Sequence, residues 1–122
     1  MGTFLVQIEL GDPEGRRYET VEALVDSGAT HATVPGSTLR RLGVSPHTRG
    51  TLVLADGSRI ECDIGRARLK LEERAEIVPV IFGDEDSQPL LGAVTLEIFR
   101  LGVDPVSQRL IPVPGLLMGQ RR

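Results

Sequence analysis

Tryptophan is absent from this 122-residue sequence, and only four aromatic residues, Phe4, Tyr18, Phe82 and Phe99, are present. The formal net charge is −3, so the chain offers neither a stacking row nor a basic footprint, and no nucleic-acid partner is expected. Cysteine is equally scarce. Cys62 stands alone, which excludes an internal disulfide and a cysteine-based zinc site, and His31 and His47 lie too far from it in sequence for metal-ligand spacing. No metal and no other cofactor is therefore expected, and a reducing, cytoplasmic setting is the simplest fit. No apolar run approaches the ~18 residues of a membrane span, so no membrane partner is expected. The N-terminus also lacks the basic start and apolar block of an export signal. A chain of this length suits one domain and not a pair of lobes.

What is present describes a small, turn-rich globule: 40% hydrophobic residues, 25% charged residues, 14 glycines and 8 prolines. From Thr3 to Leu10 the residues Phe4, Val6, Ile8 and Leu10 alternate with polar positions, which predicts a strand. Gly11 to Gly15 is a dense turn signal, and Arg17 to Val25 reads as the returning strand of a hairpin. Ser37 is placed to cap a helix of about two turns carrying Leu39 and Leu42, with Gly43 at its C-terminal end.

Thr51 to Ala55 and Ser58 to Cys62 flank Asp56-Gly57, a two-residue hairpin signal, and predict a projecting hairpin. Ile64 to Leu71 and Ala75 to Phe82 read as two further strands, with Pro79 placing the second at a sheet edge or bulge. After Leu90-Leu91-Gly92 a helical stripe of Val94, Ile98 and Leu101 is expected to close at Gly102, and Arg109 to Val113 reads as a last strand. The fold class is all-β, with one or two short helices in a domain over residues 1–115 and a flexible tail over 116–122.

The chemistry concentrates in Leu24-Val25-Asp26-Ser27-Gly28-Ala29-Thr30. A carboxylate set directly after buried strand residues is partly desolvated, which raises its pKa, and a second carboxylate in contact raises one of the two further. Two such aspartates can share one proton. Taken alone, Asp-Ser-Gly is also an ordinary turn sequence.

In its context the segment resembles the active-site loop of retropepsin-like (clan AA) aspartic proteases, where two apolar residues precede Asp-Thr/Ser-Gly-Ala. Leu90-Leu91-Gly92, 66 residues downstream of Asp26 at its glycine, matches that family's second apolar-apolar-Gly element, and Asp56-Gly57 falls where the family has a flap hairpin. The resemblance spans residues 3–113 and implies a closed acid-protease barrel with a flap. It implies catalysis by Asp26, Ser27 and Gly28, and support of the loop by Leu91 and Gly92. Substrate contacts would come from Ala29 and Thr30 and from the flap residues Leu54, Ala55, Asp56, Gly57 and Ser58.

Because the chain has one such loop, the resemblance implies a homodimer acting on peptides or proteins through an Asp26/Asp26′ dyad. A non-catalytic dimeric binding module on the same fold is the rival reading. Thr30 and Ala93 stand where viral members carry an Asp and an Arg that pair at the interface, so dimer affinity is expected to come instead from Thr3 to Leu10 and Arg109 to Val113. His31 is expected to be a loop histidine with a structural hydrogen bond, or else a tuner of the neighbouring carboxylate. Cys62 is expected to be a small buried hydrophobe.

Overall fold

The alternation seen at the N-terminus is realised as β1 (Phe4–Gly11), paired antiparallel with β2 (Tyr18–Val25) in the register Phe4↔Val25 through Gly11↔Tyr18. The computed structural model describes residues 3–114, so the tail expected over 116–122 lies outside the described residues. Ile8 and Leu10 turn inward and are buried, while Leu5 on the other face is half exposed, as a period of two requires.

Asp12 ties off the turn between these strands. Its Oδ1 accepts the backbone N–H groups of Arg16 at 2.7 Å and Arg17 at 3.1 Å, and its Oδ2 accepts Arg16 Nε at 3.2 Å. Desolvation pushes the carboxyl upward, but the bonds from the Arg17 and Arg16 backbones and from the Arg16 side chain outweigh it and hold it below 3.8. A depressed folded value stabilises fully above the ordinary carboxyl range and is lost as pH falls through the folded value. Asp12→Asn is therefore expected to lower Tm at pH 6, and the gap to wild type should close as melts are taken progressively below pH 3.8.

Six strands then close into a barrel. β3 (Ala32–Pro35) runs parallel to β6 (Arg74–Gly83), and β7 (Leu90–Leu91) bridges β2 and β3. β6 pairs antiparallel with β5 (Arg59–Leu71), which returns to β1 through Glu9↔Lys70 to Gly11↔Arg68. β4 (Pro46–Val53) hangs outside this ring on the first half of β5. The interior is filled by Leu10, Val25, Leu69, Val78, Val80, Leu91 and Phe99, all nearly inaccessible. This is the expected all-β barrel with two short helices, and no helix among the described residues is long and apolar enough to cross a membrane.

Several local expectations are corrected. The arms Ser58–Cys62 and Ile64–Leu71 are one continuous strand, β5, because nothing between them breaks extended backbone. Its covered face changes along its length: Cys62 is buried on one side, and Ala67, Leu69 and Leu71 on the other. Pro79 lies in an interior strand without a register shift. It is tolerated because β3 joins β6 only from Val80 onward, leaving one side of the strand unpaired at the residue that lacks a donor.

Helix α1 (Gly36–Arg41) starts from Pro35, not Ser37, whose N–H and hydroxyl go to the Glu85 carboxylate. Leu39 and Leu42 are buried and Gly43 takes φ +90°, as the sequence predicts. Helix α2 (Ala93–Ile98) ends before the expected Gly102, with Arg100 in the left-handed region at φ +54°. Thr95, Leu96 and Phe99 face inward, because the Phe99 ring claims the core and rotates the helical stripe away from Val94 and Ile98. Leu101 to Asp104 instead form β8 (Leu101–Asp104), paired with β9 (Arg109–Pro112) in a separate hairpin.

Candidate active site

β2 delivers Asp26 to the end of the barrel, and the chain around Leu91 fixes it there. Val25 pairs with Leu91, and the Asp26 N–H donates to the Leu91 carbonyl at 3.0 Å. The loop then folds on itself, with Asp26 Oδ1 accepting the Gly28 N–H at 3.0 Å and the Asp26 carbonyl accepting the Ala29 N–H at 3.1 Å. Such aspartate-capped turns satisfy the backbone locally and orient the carboxylate. On the far side the Ala29 carbonyl accepts the Ala93 N–H at 2.7 Å and the Thr30 carbonyl accepts the Val94 N–H at 2.9 Å. The start of α2 is thus bolted beneath the loop.

Gly92 makes that contact possible. A Cβ there would lie 2.7 Å from the Ala29 carbonyl oxygen, 2.8 Å from that of His31 and 2.8 Å from the Thr30 carbonyl carbon. All three are backbone atoms, so no side chain can yield. At Gly28 a Cβ would stand 3.3 Å from Asp26 Oδ1, a tighter approach than usual and one that a small shift accommodates. Asp26 is partly buried, and Ser27 and Gly28 are exposed at the surface of the described chain.

The hairpin stands opposite. Leu54 N–H donates to the Ser58 carbonyl at 2.8 Å and Gly57 N–H to the Leu54 carbonyl at 2.9 Å, with Gly57 at φ +87°. This is a three-residue loop of the type I plus bulge kind, in place of the expected two-residue turn, since Asp56 does not take the positive φ that a type I′ turn needs. Ser58 clamps Asp56 through its hydroxyl at 2.6 Å and its N–H at 2.9 Å, and these bonds hold the Asp56 carboxyl below 3.8.

Loop and hairpin share one cleft of about 480 Å³, lined by Gly28, Ala29, Thr30 and His31 on one side and by Thr51, Leu52, Val53 and Leu54 on the other, with Thr33 and Ile81 between them. Of the expected contact residues, Ala29, Thr30 and Leu54 line it, whereas Ala55, Asp56, Gly57 and Ser58 sit at the hairpin tip outside it. The arm, and not the tip, forms the wall. The signal for this was the apolar Val53 and Leu54, which are 64% and 42% exposed on a strand with no core of its own to cover.

His31 departs from expectation as well. It lines the cleft, and its Nδ1 is buried without a hydrogen-bond partner among the described residues, so the expected structural bond is not made. Cys62 is the buried hydrophobe expected of it, and burial pushes its thiol upward. It also borders a second chamber beyond the hairpin, which the sequence did not suggest.

A single-lobed β barrel with one Asp-Ser-Gly loop strapped to a Leu-Leu-Gly strut, under a projecting hairpin, is the architecture of the retropepsin-like aspartic proteases. The chain belongs to the aspartyl protease family, whose model matches residues 6–95. Among solved structures it is similar to the simian foamy virus (mac) protease, with 21% identity and a TM-score of 0.56 over 79% of this chain and 94% of that one. EIAV protease, solved with the inhibitor HBY-793, gives 16% identity and a TM-score of 0.55 over 80% and 88%. A retropepsin-like aspartic protease from Rickettsia conorii gives 18% and 0.53 over 84% and 88%. At these identities the likeness is one of fold. No protein of curated function matches the sequence.

Proposed function

We propose that the chain is an aspartic endopeptidase that acts as a homodimer, with Asp26 of each copy forming a dyad across a twofold axis. The observation that carries this reading is the strapped Asp26 loop, held by Leu91 and its neighbours, whose residues Gly28 to His31 line one wall of a cleft and face the hairpin arm on the other. One loop supplies one carboxylate, and peptide hydrolysis by this chemistry needs two, so the site is incomplete without a second copy.

In the dimer one Asp26 is ionised and takes a proton from the attacking water, while its protonated mate donates to the scissile carbonyl oxygen. The roles reverse as the amine leaves, and no covalent intermediate forms. In the proposed dimer Ser27, exposed beside Asp26, hydrogen-bonds to the opposite loop. Leu54 and its arm close over an extended peptide and exclude water. Among the described residues no three of His, Cys, Asp and Glu converge on a common point, and the mechanism proposed is a proton-transfer one throughout.

The terminal segments supply the dimer contact in part. Among the described residues β1 is unpaired on one side from Phe4 to Ile8, and Leu5 is half exposed on it. Arg109–Pro112 is committed to β8, so it can offer only its outer edge. The lone thiol, Cys62, is compatible with a reducing, cytoplasmic setting.

Specific activity is expected to fall on dilution through the dimer-to-monomer transition, tracking the dimer fraction measured by sedimentation. Constant specific activity across a demonstrated transition would overturn the shared site and return the chain to a binding role. Activity is further expected to peak below neutral pH, since one carboxyl of the pair must hold a proton. A rate that rises monotonically from pH 5 to 9 contradicts the dyad.

A further inference from the structure

We propose that Arg40 recognises an acidic side chain of the substrate at the outer end of the cleft, an inference that rests on the peptide-cleft reading above. The cleft beside the Asp26 loop does not stop at the hairpin. Thr33, Leu52 and Ile81 line it and also line a second chamber of about 420 Å³, so the two adjoin across these side chains. An extended peptide lying along the loop runs on into that chamber.

The charged groups there are not equivalent. Arg49 is already held by Asp63 at 2.8 Å and by Glu61 at 3.5 Å. Arg40 makes no ion pair among the described residues, and its guanidinium lies over the Phe82 ring, 5.1 Å from the centroid. Gly36, one helical turn earlier, makes the room: a Cβ there would stand 2.8 Å from Arg40 Nη1 and 3.5 Å from Phe82 Cδ2.

The side chain is therefore seated by ring and glycine, with no carboxylate claiming its donors. A planar guanidinium held in this way is preorganised for a carboxylate, which it binds through paired charge-assisted hydrogen bonds. Arg40 also borders a basin that holds Asp12, Arg16, Arg17 and Arg41, where Arg16 is paired with Asp12 and Glu14 and Arg41 with Glu19. Three carboxylates also line the chamber and oppose an acidic side chain there: Glu61 and Asp63, which share Arg49, and Asp84, which makes no ion pair among the described residues.

The test uses peptide pairs that differ only by Glu or Gln at successive positions on either flank of the scissile bond, cleaved by the full chain. At one position wild type is expected to favour Glu by about tenfold in kcat/KM. Arg40→Ala should erase the preference, and Arg40→Glu should turn it toward Lys. Gly36→Ala keeps the charge but displaces it from its seat, so it should weaken the preference while melts remain near wild type.

Fluorescence anisotropy of the labelled pairs on Asp26→Asn gives the same comparison without cleavage. Cleavage of both members of every pair at equal rates overturns the Arg40 inference and leaves the protease reading intact. Arg40-dependent binding of Glu peptides with no cleavage by wild type upholds the inference and overturns the protease reading. A wild-type preference for Lys, or a Glu preference unchanged in Arg40→Ala, overturns the assignment to Arg40.

Discussion

Asp26→Asn should reduce peptide hydrolysis by at least about 10³-fold while leaving Tm and the dimer nearly unchanged. The amide keeps the shape of the side chain and an oxygen that accepts the Gly28 N–H, now at 3.0 Å from Asp26 Oδ1, so the turn persists. What is lost is a group able to give up and regain a proton at the reacting water. Because the proposed dyad needs both copies, one substituted partner should silence a whole dimer. Titrating the variant into wild type and letting subunits exchange should then depress activity beyond simple dilution of active chains. Full turnover by purified Asp26→Asn, or strictly proportional activity in mixtures after exchange, is incompatible with two aspartates acting together.

Gly92→Ala should be among the most damaging single-methyl changes in the chain, because the added carbon meets the Ala29 and His31 carbonyl oxygens and the Thr30 carbonyl carbon at 2.7 to 2.8 Å. Relief requires prising the start of α2 from the loop, which breaks the bonds from Ala93 and Val94 at 2.7 and 2.9 Å. We expect a loss of about 3 kcal/mol. That corresponds to a Tm lowered by roughly 10 °C for a chain of this size. Activity should vanish even where the barrel survives, since the same contacts aim Asp26. Gly57→Ala serves as the control. No atom lies within 4 Å of a Cβ there, so only the strain of φ +87° is felt, and the site should be spared. Near-equal melts for the two variants would mean that the strut does not hold the loop.

Much of the barrel could be read from alternation alone, because a strand with one wet face writes its period into the sequence, as β1 and the Arg66 to Leu71 stretch do. Asp26, Leu91 and Gly92 were found through the resemblance of their segments to the retropepsin-like pattern, and the structure brings them together through backbone hydrogen bonds that leave no trace in residue type. The misreadings have physical causes. Gly102 resembles a helix terminator, yet the helix stops earlier because Phe99 fills the core and Arg100 accepts a positive φ. Ser37 resembles a cap, yet Glu85, 48 residues away, claims it. Leu52 and Ile81 became cleft residues only when the hairpin folded against the loop. For Ser37, Leu52 and Ile81 a partner remote in sequence decided the outcome, and a local pattern carries no information about that partner.

The thirteen residues of β5 belong to two interiors at once, with Cys62 turned toward the chamber beyond the hairpin and Ala67, Leu69 and Leu71 toward the barrel's oily centre. Since successive side chains point to opposite faces, the count of residues between Cys62 and Ala67 sets which way the covering hairpin looks. A single residue inserted or deleted there would turn the hairpin arm over, exchanging the face it turns toward the cleft for the opposite one. Related chains can therefore vary the tip freely, but any change in the length of this stretch should come in steps of two.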